Sequence, residues 1–365
     1  IISDGENDTY FGYHDRIPFS LDNSKILAVS YVKNSNSIKV GYFNYSIKKN
    51  KFKNFHKVTT SNCWSTQQGN MLTWDPNNPN DTILFNNHID GAFCCEFYNI
   101  FTKKNVKTLN FPFYSISPCG ELLSSLNFSK LGKERPGYGY LNYTKIENNE
   151  DYLFIYNLSS KKKIRTINAE RLSNYIPNHS SFSTHLNHIV FSPDSQKIAF
   201  MQILVSKQSK TKTINLFIYD LINDDLILVE KNDLSSHFCW KNNYQLIITK
   251  RDSYLRWRYF QYDLRHLKFK KIQNKIHMDG HPMINPNNQK RFITDTSYID
   301  NKDQLHLIDS NFNNYKILKS YNHPPNLKGK SRCDLHPRWN HKGDTICVDI
   351  YINKNRKIGI VKLND

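Results

Sequence analysis

Four histidines, His188, His237, His281 and His336, occupy one position of a recurring local pattern. The pattern reads His188-Ile-Val-Phe-Ser-Pro-Asp194, His281-Pro-Met-Ile-Asn-Pro-Asn287 and His336-Pro-Arg-Trp-Asn-His-Lys-Gly343. In the same register the earlier copies carry Arg16, Met71 and Phe113, and two positions ahead stand His14, Gly69, Phe111, Leu186, Ser235, Asp279 and Asp334. Side chains two apart on a strand share a face, so Asp334 and His336 can present to one ligand. Borderline metals such as manganese, iron, nickel and zinc accept imidazole and carboxylate together. His281, His336 and Asp334 therefore form a candidate divalent-metal set, with Asp279 or His14 as a further ligand or outer support. His237, one unit away, is left as an acid/base group, and His188 joins it as a catalytic candidate. A lone histidine in such a place is ordinarily a packed, hydrogen-bonded residue; the chemical reading rests on four sharing one register.

These residues need a scaffold that repeats, and the chain repeats twice over. The first register is a strand, a Pro/Asn/Asp/Gly turn and an alternating apolar strand, as in Phe19 to Ile26, Ile116 to Leu122, Phe191 to Ile198 and Trp339 to Ile346. The second follows within each unit, at Tyr42 to Tyr45, Glu96 to Ile100, Phe154 to Leu158, Phe217 to Leu221, Tyr259 to Leu264, Leu305 to Asp309 and Ile358 to Leu363. Both recur seven times, at a period of roughly 42–55 residues with four strand-like segments each, which is the mark of a β-propeller blade. The chain is expected to be all-β, a single seven-bladed β-propeller over 1–365 with four-stranded antiparallel blades. Its blades should start near 13, 68, 111, 185, 235, 279 and 333, with an insertion loop over 128–150. The last unit stops at its third strand, so residues before Tyr13 are expected to supply the outermost strand and close the ring. Helix should be scarce, with 169–174 the one candidate. Innermost strands line the channel, so the four imidazoles should converge at its mouth.

The loops on that face are basic: Lys130, Lys133 and Arg135, then Lys207, Lys210 and Lys212, then Lys250, Arg251 and Arg256. With 50 Lys+Arg against 32 Asp+Glu the formal charge is +18, which favours an anionic partner. No recognisable nucleic-acid module accompanies the charge, so nucleic acid is set aside. Seven cysteines, an odd number without metal-type spacing, argue against a disulfide framework. No run reaches the roughly 18 apolar residues of a membrane span, and no signal peptide opens the chain, so a cytoplasmic protein is expected. Ile1 to Asp4 lacks an initiator methionine and looks like a cut.

At these residues the sequence resembles the oligogalacturonate lyase family of TolB-like seven-bladed propellers. The resemblance is carried by Ser236 to Trp240, Asp279-Gly-His281-Pro, His336 to Gly343 and Asn187 to Pro193, and reaches the first half only through the blade pattern. It implies a manganese-like divalent cofactor and β-elimination on an acidic, uronate-type oligosaccharide. His281 and His336 match the family's metal ligands and His237 its proposed base. Asp334 stands where the family has a further histidine ligand, and Ser331 stands near its glutamine ligand. The family's substrate-binding arginine on blade four is replaced by Lys212-Thr-Ile-Asn215, leaving Lys212 or Arg135 to neutralise a substrate carboxylate. Arg135 to Tyr140 and Gln67 to Met71 resemble a branch associated with bacterial surface-polysaccharide gene sets. Three functions stay open: a metal-assisted lyase, a non-catalytic glycan- or protein-binding propeller in surface-polysaccharide assembly, and a transferase acting on a surface glycan.

Overall fold

The computed structural model describes residues 2–3, 7–31, 35–46, 51–140, 152–176, 179–231, 235–273, 276–309, 314–325, 327 and 329–363. The stretch of the expected insertion at 141–150 lies outside the described residues. Seven antiparallel sheets follow one another along the chain, six of four strands and a seventh of three, each built from strands in chain order. This is the expected seven-bladed propeller. All seven copies of the second register fall on third strands, from Ile38–Ser46 in blade one to Asn355–Lys362 in blade seven.

Two devices explain why the repeat looks as it does. The tryptophan three residues past the column reaches back to the preceding blade. Trp74 donates its indole N–H to the Pro18 carbonyl at 2.9 Å, Trp240 to Val190 at 3.1 Å and Trp339 to Met283 at 3.1 Å. Each acceptor lies two residues past the column of the blade before, so one clamp is used three times. In the blades that carry Phe19, Ile116 or Phe191 at that place, the next residue is a serine that holds the hairpin turn. Lys25 N–H donates to Ser20 Oγ at 3.0 Å, Leu122 N–H to Ser117 Oγ at 2.9 Å and Lys197 N–H to Ser192 Oγ at 2.9 Å. Between blades the core is aliphatic and aromatic, as where Leu27, Val29 and Val40 of blade one meet Trp74, Ile83 and Phe85 of blade two.

The N-terminal segment closes the ring. Ile2 bridges Gly359, Ser3 N–H donates to the Ile358 carbonyl at 2.8 Å, and Arg356 N–H donates to Asp8 Oδ1 at 2.6 Å. These residues lie along the third strand of blade seven, and Asp8–Tyr10 then becomes the innermost strand of blade one, pairing with Lys25–Tyr31. A buried ion pair locks the seam. Arg338, with no exposed surface, donates to Asp349 Oδ2 at 2.7 Å and to the Tyr13 carbonyl at 3.1 Å. Asp349 in turn accepts from the Phe11 N–H at 3.2 Å.

Two short α-helices interrupt the strands among the described residues. Phe128–Glu134 (α1) falls where the insertion loop was expected and is instead helical. Asn127 caps it by accepting from the Lys130 N–H at 3.0 Å, and Phe128 and Leu131 bury against the core. Ala169–Ser173 (α2) matches the one helix expected, capped by Asn168, which accepts from the Arg171 N–H at 2.9 Å. No helix among the described residues is long and apolar enough to cross a membrane.

The seam and the buried histidines each make a measurable contribution to stability. Arg338→Met strands Asp349 without its cation and should cost about 3–5 kcal/mol in urea unfolding. Arg338→Met combined with Asp349→Leu should recover some of that loss. Burial holds His185 at about 3, with Arg135, Lys212 and Lys130 adding to the effect, and holds His306 at about 4. Both rings are neutral when folded, whereas the unfolded chain protonates them near 6.5. Below 6.5 the unfolded state holds protons that the folded state refuses, so the contribution of these two rings to stability falls as pH decreases from 6.5 towards 4 and is constant above that window. These two rings should together contribute about 2–3 kcal/mol per pH unit to the slope, which replacing both by glutamine should remove from urea titrations across the range.

Candidate functional site

The column lies where the innermost strands break register. Met71, His188 and His336 have φ of 61°, 54° and 43°, in the left-handed region, and the pairing of blades four and five shifts between Asn187 and Val190 and between Ser235 and His237. A bulge of this kind re-aims a side chain, and here it re-aims His188 and His237. Ring centroids of His237 and His281 are 4.1 Å apart, His281 and His336 4.4 Å, and His188 and His237 6.3 Å. The four rings therefore converge around Tyr13, which contacts all of them.

A fifth imidazole, the expected His14, joins them by way of an irregular segment of blade one. In blade one, Tyr10 pairs with Val29 and Phe19 bridges Ile26, so residues 11–18 take the place of a short bulge. This detour sends His14 into the cluster, 5.0 Å from both His188 and His281, while Arg16, which shares the column by alignment, pairs with Asp15 at 3.2 Å.

Two of the histidines are held from behind. His281 donates both its backbone N–H and its Nδ1–H to Asp295 Oδ1, at 2.8 and 2.9 Å. Gly280 makes that approach possible, because a Cβ there would sit 2.0 Å from the Asp295 carbonyl oxygen. His336 donates its Nδ1–H to the Gly12 carbonyl at 2.9 Å and its backbone N–H to Asp295 Oδ2 at 3.1 Å. A carboxylate and a carbonyl only accept, so both rings carry a proton on Nδ1, and in the neutral form the lone pair lies on Nε2. Both Nε2 atoms are buried without a hydrogen-bond partner among the described residues. One ligand atom from each of His281, His336 and Asp334 lies within 4.8 Å of the others, and His336 Nε2 is 3.8 Å from Asp334 Oδ2. Asp334 is also forked by Arg332, Nε to Oδ1 at 3.2 Å and Nη2 to Oδ2 at 2.7 Å.

His237 is held differently. Its Nδ1 faces Asp279 Oδ1 at 3.2 Å and Ser236 Oγ at 3.1 Å, and Ser236 donates to Asp279 Oδ2 at 2.5 Å. Asp279 thus stands behind His237 and outside the triad. Burial would raise the Asp279 carboxyl, yet His237 and Ser236 hold it down at about 2. His188 stacks on Phe238 at 4.2 Å, and His14 lies outside the triad. Arg135 places its guanidinium over the Tyr138 ring at 3.7 Å, and Lys212 opens the third strand of blade four in an exposed position. Both charges reach His185, and that of Arg135 also reaches His188 and His237.

The electrostatics separate the rings. Burial, reinforced by neighbouring imidazoles, pushes His14, His188 and His336 well below the ordinary histidine value. Burial also lowers His237, with Asp279 opposing it. His281 moves the other way: burial, the largest single effect, would lower it, but Asp295, with Asp334 and Asp279 adding to it, raises it on balance. Asp295 stays ionised, because His281 more than offsets the burial that would raise its carboxyl.

The observed pocket of imidazoles is deeper than an open channel mouth: His14 and His188 are 1% exposed, His336 3%, His281 6% and His237 9%. Reading the sequence did not single out Asp295, Asp349, Arg332 or Tyr13. Asp295 sits on the second strand of blade six, 14 residues past His281, with no motif to mark it. Arg338 lies inside the His-Pro-Arg-Trp string, but only the fold shows that it faces the seam.

No family model and no curated protein sequence matches the chain. Solved structures do. An oligogalacturonate lyase from Vibrio parahaemolyticus aligns with all of this chain and 93% of its own, at a TM-score of 0.70 and 9% identity. An oligogalacturonate lyase in complex with manganese aligns with 98% of this chain and 91% of its own, at 0.68 and 11%. The β-propeller domain of the Trilobed protease from Pyrococcus furiosus, described as having an open velcro topology, gives 0.53 and 10% over the whole chain and 95% of its own. At these identities the likeness shows the fold, that of an oligogalacturonate lyase-like propeller.

The residues present fit a divalent metal. Two orphaned, buried imidazole lone pairs beside a carboxylate are a borderline-metal donor set, and Asp295 and the Gly12 carbonyl supply the outer bonds that fix ligand tautomers. Asp295→Asn should weaken cobalt or manganese binding by about 10–100-fold in calorimetry on the folded variant.

Proposed function

We propose that this chain is a metal-assisted carbohydrate-active enzyme, a lyase acting on an acidic, uronate-type oligosaccharide. The observation that carries the reading is the pairing of two groups: the His281, Asp334 and His336 donor set, and His237 beside it with Asp279 at its back. The likeness in fold to oligogalacturonate lyases supports it.

In this reading His237 is the base. With Nδ1–H directed at Asp279, its Nε2 keeps a lone pair for the proton adjacent to the substrate carboxylate. Removing that proton forms the carbon–carbon double bond as the glycosidic C–O bond breaks, and the departing oxygen collects a proton from water or from His237 itself. A bound divalent cation would supply Lewis acidity towards the uronate carboxylate. His281, His336 and Asp334 would hold that cation, and Asp295 would keep the two rings oriented. Arg135 and Lys212 raise the local positive potential on the same side, which favours an acidic chain over a neutral one.

A non-catalytic glycan-binding propeller is the second reading, favoured by the Arg332 fork that already occupies both oxygens of Asp334. One assay separates them. Purified protein with manganese and galacturonate or glucuronate oligomers should generate the ultraviolet absorbance of unsaturated uronides, abolished by EDTA. His237→Ala should lower the rate by about 10²–10⁴-fold. Oligosaccharide binding that persists in EDTA and in His281→Ala, without any turnover, would instead establish the binding module.

A further inference from the structure

The triad accounts for the lone pairs of His281 and His336 and leaves two imidazoles of the cluster unexplained. None of the four ring nitrogens of His14 and His188 has a hydrogen-bond partner among the described residues, and both residues are 1% exposed. Each buried polar group left unsatisfied costs about 1–3 kcal/mol, and native structures rarely keep several together. A polar occupant between these rings would remove the cost.

The surroundings indicate its kind. Tyr13 lies 4.7 Å from His14 and 5.2 Å from His188, His237 lies 5.8 and 6.3 Å away, and Phe238 covers the far face of His188. No carboxylate among the described residues bonds to either ring. Imidazole nitrogen without carboxylate or carbonyl donors suits a borderline transition ion and not calcium or magnesium. The spacing agrees. A metal–nitrogen bond of about 2.1 Å places an ion roughly 3.2 Å from an imidazole centroid, so two rings on one tetrahedral ion stand about 5 Å apart. The observed separation is 5.0 Å, with planes at 76°.

We propose that His14 and His188 hold a second transition-metal ion beside the His281, Asp334 and His336 site, its remaining positions open to water or to a substrate oxygen. The buried imidazole cluster is then a two-ion centre, able to clamp one acidic group from both sides. The inference rests on the metal reading of the triad, and stoichiometry distinguishes the two. It also gives the 11–18 detour a role, since that loop alone delivers His14.

The test uses tag-free, full-length protein stripped with chelator and titrated with cobalt(II), with calorimetry and elemental analysis after gel filtration. Two equivalents are expected, falling to one in His14→Gln/His188→Gln and to one in His281→Gln/His336→Gln. One equivalent that is unaffected by His14→Gln/His188→Gln overturns the second site and leaves the triad. One equivalent that is lost with that variant but kept in His281→Gln/His336→Gln overturns both the two-ion centre and the triad reading. No bound metal overturns both as well. Should a variant fail to fold, the unaltered protein decides through its visible cobalt spectrum: a distinct band growing in between one and two equivalents is expected, and saturation at one overturns the proposal.

Discussion

The contact on which the molecule depends most is the one Arg338 makes across the seam. Its guanidinium binds Asp349 within blade seven and the carbonyls of Gly12 and Tyr13 in the incoming N-terminal loop. Asp349 accepts from the N–H of Phe11, and its other oxygen is 3.4 Å from the Gly12 nitrogen. A fully buried charge is tolerated only when its partners are fixed. These partners are the loop that carries His14 and the carbonyl that orients His336. Ring closure and the arrangement of the candidate ligands are therefore one set of hydrogen bonds.

In the preceding blade, Asp295 has the equivalent role. Its oxygens take the His281 N–H groups and the His336 backbone N–H, so it couples blade six to blade seven. Gly12 and Asp295 approach His336 from two directions, which leaves its Nε2 directed into the cluster. Because that residue has φ of 43°, an arrangement L-residues rarely adopt, the surrounding bonds must over-determine it. Strain of this kind is maintained where a side chain has to point somewhere a regular strand would not send it.

Much of this was legible in the residues, for reasons the structure makes concrete. The blade count could be read because the Trp clamp and the polar turn residue recur through identical bonds, so each copy leaves the same trace. The histidine column could be read because pseudo-symmetry converts equal register into equal height. What escaped was whatever breaks the repeat. His14 was legible as a candidate, two positions ahead of Arg16 in the column, but not the detour with no counterpart in the other blades by which it enters the cluster. Asp295 and Asp349 lie on second strands, where a buried acid is indistinguishable by pattern from an ordinary polar residue. The α1 helix is only seven residues long, and its cap, Asn127, is one asparagine in an asparagine-rich chain.

Exposure across the cluster is graded, and the gradient constrains any chemistry performed there. The Asp279 side chain is 32% exposed, that of His237 11%, of His281 7% and of His336 4%. His237, with Asp279 behind it, therefore forms the wet edge, and the candidate ligands lie progressively deeper. A proton acceptor belongs at such an edge, where it can exchange with solvent after each turnover. Metal-ligating imidazoles belong further in, where burial keeps competing water and protons away from their lone pairs.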